Sequence, residues 1–202
     1  MDQTAIKELT QAVLQHICVP LEASARHVHV TEAQAHALFG HGLTPQRPLS
    51  QPGQFLAAER VTLQGPKGKL NHVAVLGPAR KEAQVELSLT DGRLLGIQPP
   101  IRPSGDVAGS PGIVLVGDQG TVALTQGVIA AQRHLHLTPE TAVRFSVQDK
   151  QIVRLQTFTD RPLVFGDVLV RVSSDYADCA HLDFDEANAC AMTPGDWGRI
   201  LP

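Results

Sequence analysis

His27 and His29 stand two residues apart in Arg26-His27-Val28-His29-Val30-Thr31, and the phrase returns as Arg133-His134-Leu135-His136-Leu137-Thr138. On an extended strand side chains alternate between faces. Both imidazoles of each pair therefore point one way and the apolar residues the other. Two imidazoles on one strand face are half of a metal site. A single His-x-His strand is more often two solvated or internally satisfied histidines. The repetition and the shared flanking Arg shift the balance toward metal.

A second match supplies a third donor for each pair. Residues 85–91 line up with residues 180–186, each a short predicted strand running into a helix cap. The position held by Glu86 in one half is held by His181 in the other. The candidate sets are then His27, His29 and Glu86, and His134, His136 and His181. His₂Glu and His₃ both serve catalytic zinc, which keeps a position open for water or substrate. Structural zinc more often takes several Cys, and here Cys18, Cys179 and Cys190 are few and scattered. Three neutral imidazoles leave a metal its full positive charge, whereas Glu86 reduces it at the first site. His and Glu would also accept cobalt, nickel or iron.

Other polar residues carry less signal. His16, His36, His41 and His72 lack such context and read as solvated. Arg80 sits in a Gly-Pro turn six residues before Glu86. Its planar fork suits a phosphate or carboxylate, although pairing with Glu82 or Glu86 is the simpler reading. Lys67, Lys69, Arg80 and Lys81 make a modest basic cluster without a phosphate-loop motif. Arg26 and Arg133 either serve the same anion or brace the strands. Cys179 shares a strand face with His181 as a ligand or thiol, but a buried structural Cys is the better reading. No Gly-x-Ser-x-Gly or other nucleophile constellation is present.

The elements that must position these residues are short. Periodicity predicts an amphipathic helix over 4–17 with Thr4 as its cap, packed on the body or serving as a docking peptide. Strand 24–30 runs into a helix from Thr31 with Gln34 at the capping-box position, ending at Gly40. A loop over 43–54 precedes strands at 55–63, 71–76 and 84–89, and Thr90 caps a short helix to Leu95. Residues 99–112, rich in Pro and Gly, form the predicted connector. Strands follow at 113–116, 120–125 and 127–137, then a helix opened by Thr138-Pro139-Glu140. Further strands at 152–157 and 163–172, an extended piece at 178–182 and a helix from Asp183 or Asp185 through Ala191 complete the pattern, with residues 193–202 irregular.

These elements predict a mainly β fold with short helices, organised as an N-terminal helix over 1–19, barrel-type halves over 20–98 and 113–202, and the connector between them. The chain of 202 residues is long enough for a real core. A net charge of -3 and 4% aromatic residues argue against nucleic acid as a partner. Three unpaired Cys and the lack of a signal-like start or an apolar run of membrane-spanning length point to the cytoplasm and to no membrane role.

At the residues just described the sequence resembles the PduL-type phosphotransacylases, the phosphate propanoyltransferases. The resemblance covers Ser24 to about Met192. It rests on residues 24–30 (SARHVHV), 49–55 (LSQPGQF), 76–86 (LGPARKEAQVE), 105–112 (GDVAGSPG), 132–139 (QRHLHLTP) and 185–189 (DEANA). It implies two interwoven, internally duplicated β-barrels with helical caps, two zinc ions per chain, a homodimer, and exchange of a propanoyl or acetyl group between phosphate and coenzyme A. By the same resemblance the two triads hold the zinc ions, and Arg80 binds phosphate. Ser24, Leu76 and Asn188 fall at positions that look like coenzyme A contacts. The stretch 20–23 (PLEA) lacks the Gly usual in the family.

The expected reaction joins acyl phosphate and coenzyme A to give acyl-coenzyme A and phosphate, with Arg80 and Glu86 as catalytic groups. A metal with an open position lowers the pKa of a thiol, so no protein nucleophile is required. Two other classes fit the same residues. One is a zinc-dependent hydrolase of an activated acyl compound. The other is a cargo or structural component of a protein shell such as a bacterial microcompartment, docked by the N-terminal helix.

Overall fold

The computed structural model describes residues 2–201. In chain order the elements are α1 (Gln3–Ile17), β1 (Val19–Ser24), β2 (His27–His29), α2 (Glu32–Phe39), β3 (Pro45–Pro48), β4 (Phe55–Gln64), β5 (Lys69–Gly77), β6 (Gln84–Glu86), α3 (Leu89–Leu95) and β7 (Ile101–Arg102). After them come β8 (Ile113–Val116), β9 (Thr121–Leu124), β10 (Val128–Ala131), β11 (His134–Leu137), α4 (Pro139–Arg144), β12 (Ile152–Phe158), β13 (Val164–Val172), β14 (Cys179–Asp183), α5 (Phe184–Ala189) and β15 (Trp197–Leu201). The fold is mainly β, as the alternating pattern predicts. None of these helices is long and apolar enough to cross a membrane.

The chain forms two compact units, one from Met1–Ser24 with Arg133–Pro202 and one from Ala25–Gln132. The first is a closed six-stranded barrel in the order β1-β14-β11-β13-β12-β15. Closure leaves no exposed strand edge. Its interior is apolar, with Leu21, Leu135, Leu137, Leu155, Val170, Ala180 and Leu182 almost fully buried. Each such Leu contributes about 2 kcal/mol through removal from water. The second unit is a nine-stranded sheet in the order β7-β10-β6-β2-β5-β4-β8-β9, with β3 paired to β4. It curls into a half-barrel around Val28, Val61, Leu63, Val75, Val85 and Leu115.

The units divide at 24/25 and 132/133, not across 99–112. Residues 113–132 join the nine-stranded unit, and β1 joins the barrel. The predicted strands 24–30 and 127–137 are accordingly each broken in two, with the break next to Arg26 and Arg133. Residues 193–202 are not irregular throughout, since β15 pairs with both β1 and β12 and closes the barrel. A four-residue strand, β3, lies within the predicted loop 43–54.

Helix starts follow capping chemistry, with two adjustments. Asp2 caps α1 and accepts from the Thr4 amide, so Thr4 is not the cap. Ser88, not Thr90, caps α3, because its hydroxyl reaches the Asp91 amide. Of the two predicted starts for α5, Asp183 is the cap and accepts from Glu186 N. Thr31 and Gln34 form the predicted capping box.

Candidate functional site

β2 and β6 run antiparallel with His27 opposite Glu86 and His29 opposite Gln84. Val28 and Val85 between them enter the core. Strand alternation then sends His27, His29 and Glu86 to the other face. Their donor atoms lie within 4.8 Å of one another, and all three residues are buried. The sequence pairing of Glu86 with the His27 strand is thus a register contact.

Backbone carbonyls orient both rings. His27 Nδ1 lies 2.7 Å from the Ala25 carbonyl oxygen and His29 Nδ1 3.3 Å from that of Leu76. A carbonyl only accepts, so each ring carries its proton on Nδ1 and offers Nε2 to the cluster. His27 Nε2 stands 3.6 Å from Glu86 Oε1. Ser104 Oγ donates to Glu86 Oε1 at 3.0 Å, and Gln84 Nε2 donates to the same oxygen at 2.5 Å. Gln84 in turn accepts from the Gly105 amide at 2.7 Å. The Pro/Gly-rich stretch 99–112 therefore holds the carboxylate in place. Sequence reasoning did not assign Ser104 or Gln84 to the site. Gln84 was detectable, since it is two residues before Glu86 and shares its strand face. Ser104 has no such signal, because only the folded loop brings it there.

The electrostatics follow from burial and proximity. Burial alone would raise the Glu86 pKa, but His27, His29 and Ser104 overcome it and hold the carboxyl well below the usual range. Burial would depress His27, and the Glu86 charge and hydrogen bond raise it above its ordinary value. His29 is pushed well below its ordinary value, first by burial and then by the charges of His27 and Arg80. Arg80 acts on both imidazoles. Its backbone amide bonds the Val30 carbonyl oxygen at 2.9 Å, which ties the Arg turn to the end of β2. The turn starts at Gly77, where a Cβ would run into the Phe55 ring, so a larger residue requires that ring to move.

The second cluster repeats the plan in the barrel. β11 and β14 run antiparallel with His134 opposite His181 and His136 opposite Cys179. His134 Nε2 and His136 Nε2 lie 3.1 Å apart. The donors of His134, His136 and His181 fall within 4.8 Å of one another. The Tyr176 ring lies edge-on to His136 with centroids 4.4 Å apart, a contact sequence reasoning did not identify.

Both triads fit a divalent metal. The close approach of two imidazole Nε2 atoms is near the roughly 3.3 Å between nitrogens on a tetrahedral zinc with Zn–N of about 2.05 Å. In the first triad the Nδ1 protons are already engaged by carbonyls, which leaves Nε2 lone pairs converging with a carboxylate.

The remaining predicted residues fall in both units. Ser24 pairs in register with Asp183, the cap of α5, and Asn188 lies exposed on α5. Leu76 is on β5 opposite Leu56, and its carbonyl oxygen meets His29. Arg26 and Arg133 brace the strands, binding Asp91 and Glu186 respectively. His36 and His41 are exposed and lie near Glu32 and Glu59.

A closed barrel and a curled sheet, each bearing three converging metal-type donors on one strand face, define a mainly β protein with two candidate metal centres. Residues 20–193 match the family described as phosphate propanoyltransferase. The phosphate propanoyltransferase of Listeria monocytogenes is 48% identical over 97% of this chain and 93% of its own. That of Thermotoga maritima is 46% identical over 97% and 95%, and that of Rhodopseudomonas palustris 45% over 90% and 81%. The chain belongs to the phosphate propanoyltransferase family and is an acyltransferase enzyme.

Proposed function

We propose that the chain transfers a short acyl group, propanoyl or acetyl, reversibly between phosphate and coenzyme A, at the His27–His29–Glu86 cluster. The observation that carries this reading is the convergence of His27, His29 and Glu86 in the same unit as the Arg80 turn, which a backbone bond from Arg80 to Val30 ties to the end of β2. In the forward reaction the acyl C–O(phosphate) bond breaks and a C–S bond to coenzyme A forms. The thiol proton is lost, and phosphate leaves with the C–O electron pair.

The residues divide this work. His27, His29 and Glu86 hold one zinc, and His134, His136 and His181 hold a second. A zinc held there would lower the pKa of an incoming thiol. Ala25 and Leu76 carbonyls fix the two rings with Nε2 facing the donor cluster. Ser104 and Gln84 orient Glu86. Arg80 grips the phosphoryl oxygens and offsets the charge that grows on departing phosphate. Ser24, Leu76 and Asn188 contact coenzyme A in this reading. The three Cys, all buried, are not needed as nucleophiles.

Incubation of acyl phosphate with and without coenzyme A is the test. Phosphate release that depends on the thiol supports transfer, and equal release without it supports a metal-dependent hydrolase.

A second reading concerns partners. Ile6, Leu9, Val13 and Ile17 lie on one side of α1 at i, i+3, i+7, i+11 spacing and are 43–62% exposed. This face suits docking to proteins of a microcompartment shell. Removal of residues 1–18 is expected to abolish co-sedimentation with shells and leave turnover intact. Co-sedimentation unchanged by the deletion contradicts it.

A further inference from the structure

The two clusters differ in more than Glu86 and His181. In the barrel, β1 runs parallel to β14 with Glu22 beside His181. Across β14, Cys179 stands opposite His136. Leu21, Leu135, Ala180 and Leu182 enter the barrel core. Glu22, Cys179, His134, His136 and His181 therefore share the other face. Glu22 Oε2 lies 3.2 Å from His181 Nε2. The donors of Glu22, Cys179 and His181 lie within 4.8 Å of one another, the same span as the three-His set, and His181 belongs to both.

The corresponding positions in the nine-stranded unit hold no such donors. There Gln84 stands opposite His29, and β10 runs parallel to β6 with Ile129 beside Glu86. Gln84 is spent on orienting Glu86, and Ile129 is fully buried. The same architecture thus carries an amide and an alkyl group at one site, and a thiol and a carboxylate at the other.

We propose that Cys179 and Glu22 are metal donors of the second cluster, making it a thiolate- and carboxylate-bearing site. The proposal rests on the reading of His134, His136 and His181 as metal ligands. The simpler assignment is a surface Glu22–His181 pair beside a core Cys. It does not account for Cys179 lying on the face opposite Ala180 and Leu182, against His136. Two anionic donors lower the net charge of a bound dication from that of a three-imidazole site. The soft sulfur selects zinc or cobalt over magnesium and manganese. Binding converts the Cys179 thiol to thiolate and releases its proton to solvent.

The test uses full-length Glu86→Gln protein, in which the first cluster is weakened, loaded with cobalt as a spectroscopic probe. The expected result is a near-ultraviolet thiolate-to-cobalt charge-transfer band. Cys179→Ser removes this band and Cys190→Ser retains it. Glu22→Gln keeps the band but weakens cobalt binding by roughly tenfold or more, measured by chelator competition. Circular dichroism of each metal-free variant verifies folding. Cobalt bound without the band, or affinities unchanged by both Cys179→Ser and Glu22→Gln, overturns the proposal. Cobalt affinity unchanged in both His134→Ala and His136→Ala overturns instead the His-cluster reading on which it rests.

Discussion

Arg26 and Asp91 are joined by two contacts, Nε to Oδ2 at 2.9 Å and Nη2 to Oδ1 at 2.8 Å. Asp91 is also the third helical residue of α3, whose side chain closes the capping box on Ser88. The residue before His27 thus clamps the helix that follows the Glu86 strand. Arg133 repeats this in the barrel, with its Nε 2.7 Å from Glu186 Oε1, and Glu186 closes the capping box on Asp183. Each Arg sets the distance between its His strand and the strand that brings the third donor.

Arg26→Ala is expected to destabilise the protein by about 2 kcal/mol, because the nearly inaccessible Asp91 carboxylate loses its charged partner while Arg26 itself is partly solvated. Urea denaturation measures this. Arg26→Lys recovers only part of the loss, since an ammonium cannot make the two-pronged contact. A cost indistinguishable from zero for Arg26→Ala would remove the bracing role.

Ser104→Ala deletes one hydrogen bond to Glu86 and leaves the strands untouched. The expected effect is a roughly tenfold weaker metal affinity at the first cluster, with the fold retained. Competition with a chromophoric chelator reads the affinity. Unchanged affinity in Ser104→Ala would mean that the loop does not position the carboxylate.

The His27–Glu86 pair gives the metal-free protein a distinct pH dependence. His27 is raised above its ordinary 6.5, so its contribution is full below 6.5 and is lost as pH climbs through the folded value. Glu86 is lowered below its ordinary 4.5, so its contribution is full above 4.5 and is lost as pH falls through the folded value. The pair stabilises most between 4.5 and 6.5. The Tm difference between parent and Glu86→Gln proteins, both metal-free, is expected to peak in that window and shrink at alkaline pH. The stabilisation conferred by added zinc should rise with pH, since the metal displaces a proton from His27. A Tm gap that grows above 6.5 contradicts the assignment.

Arg80→Lys keeps a positive charge but loses the fork that matches two phosphoryl oxygens. A drop of roughly a hundredfold in kcat/KM for acyl phosphate is expected, with metal content unchanged. Steady-state phosphate release together with metal analysis separates these effects. An equal loss of metal would assign Arg80 to the integrity of the cluster instead.

Much of this arrangement was legible because it is local or duplicated. The His-x-His strands, the matched third donors and the caps at Thr31 and Asp183 follow from alternation and capping chemistry. The register that sets His27 opposite Glu86 and His134 opposite His181 agrees with the repeat. What escaped depends on long-range closure. The tail 193–202 carries no strong strand pattern, yet β15 is required to close the barrel. The breaks beside Arg26 and Arg133 were hidden because strand-like residues stand on both sides of each. Ser104 reaches Glu86 across 18 residues of chain, a separation no local pattern encodes.

The central claim is tested most directly by following phosphate release from propanoyl phosphate with chelator-treated enzyme, before and after zinc is restored, with and without coenzyme A. Release is expected only when zinc and the thiol are both present, with little release from Glu86→Gln under the same conditions. Release that proceeds equally without coenzyme A, or that survives complete metal removal, would contradict it.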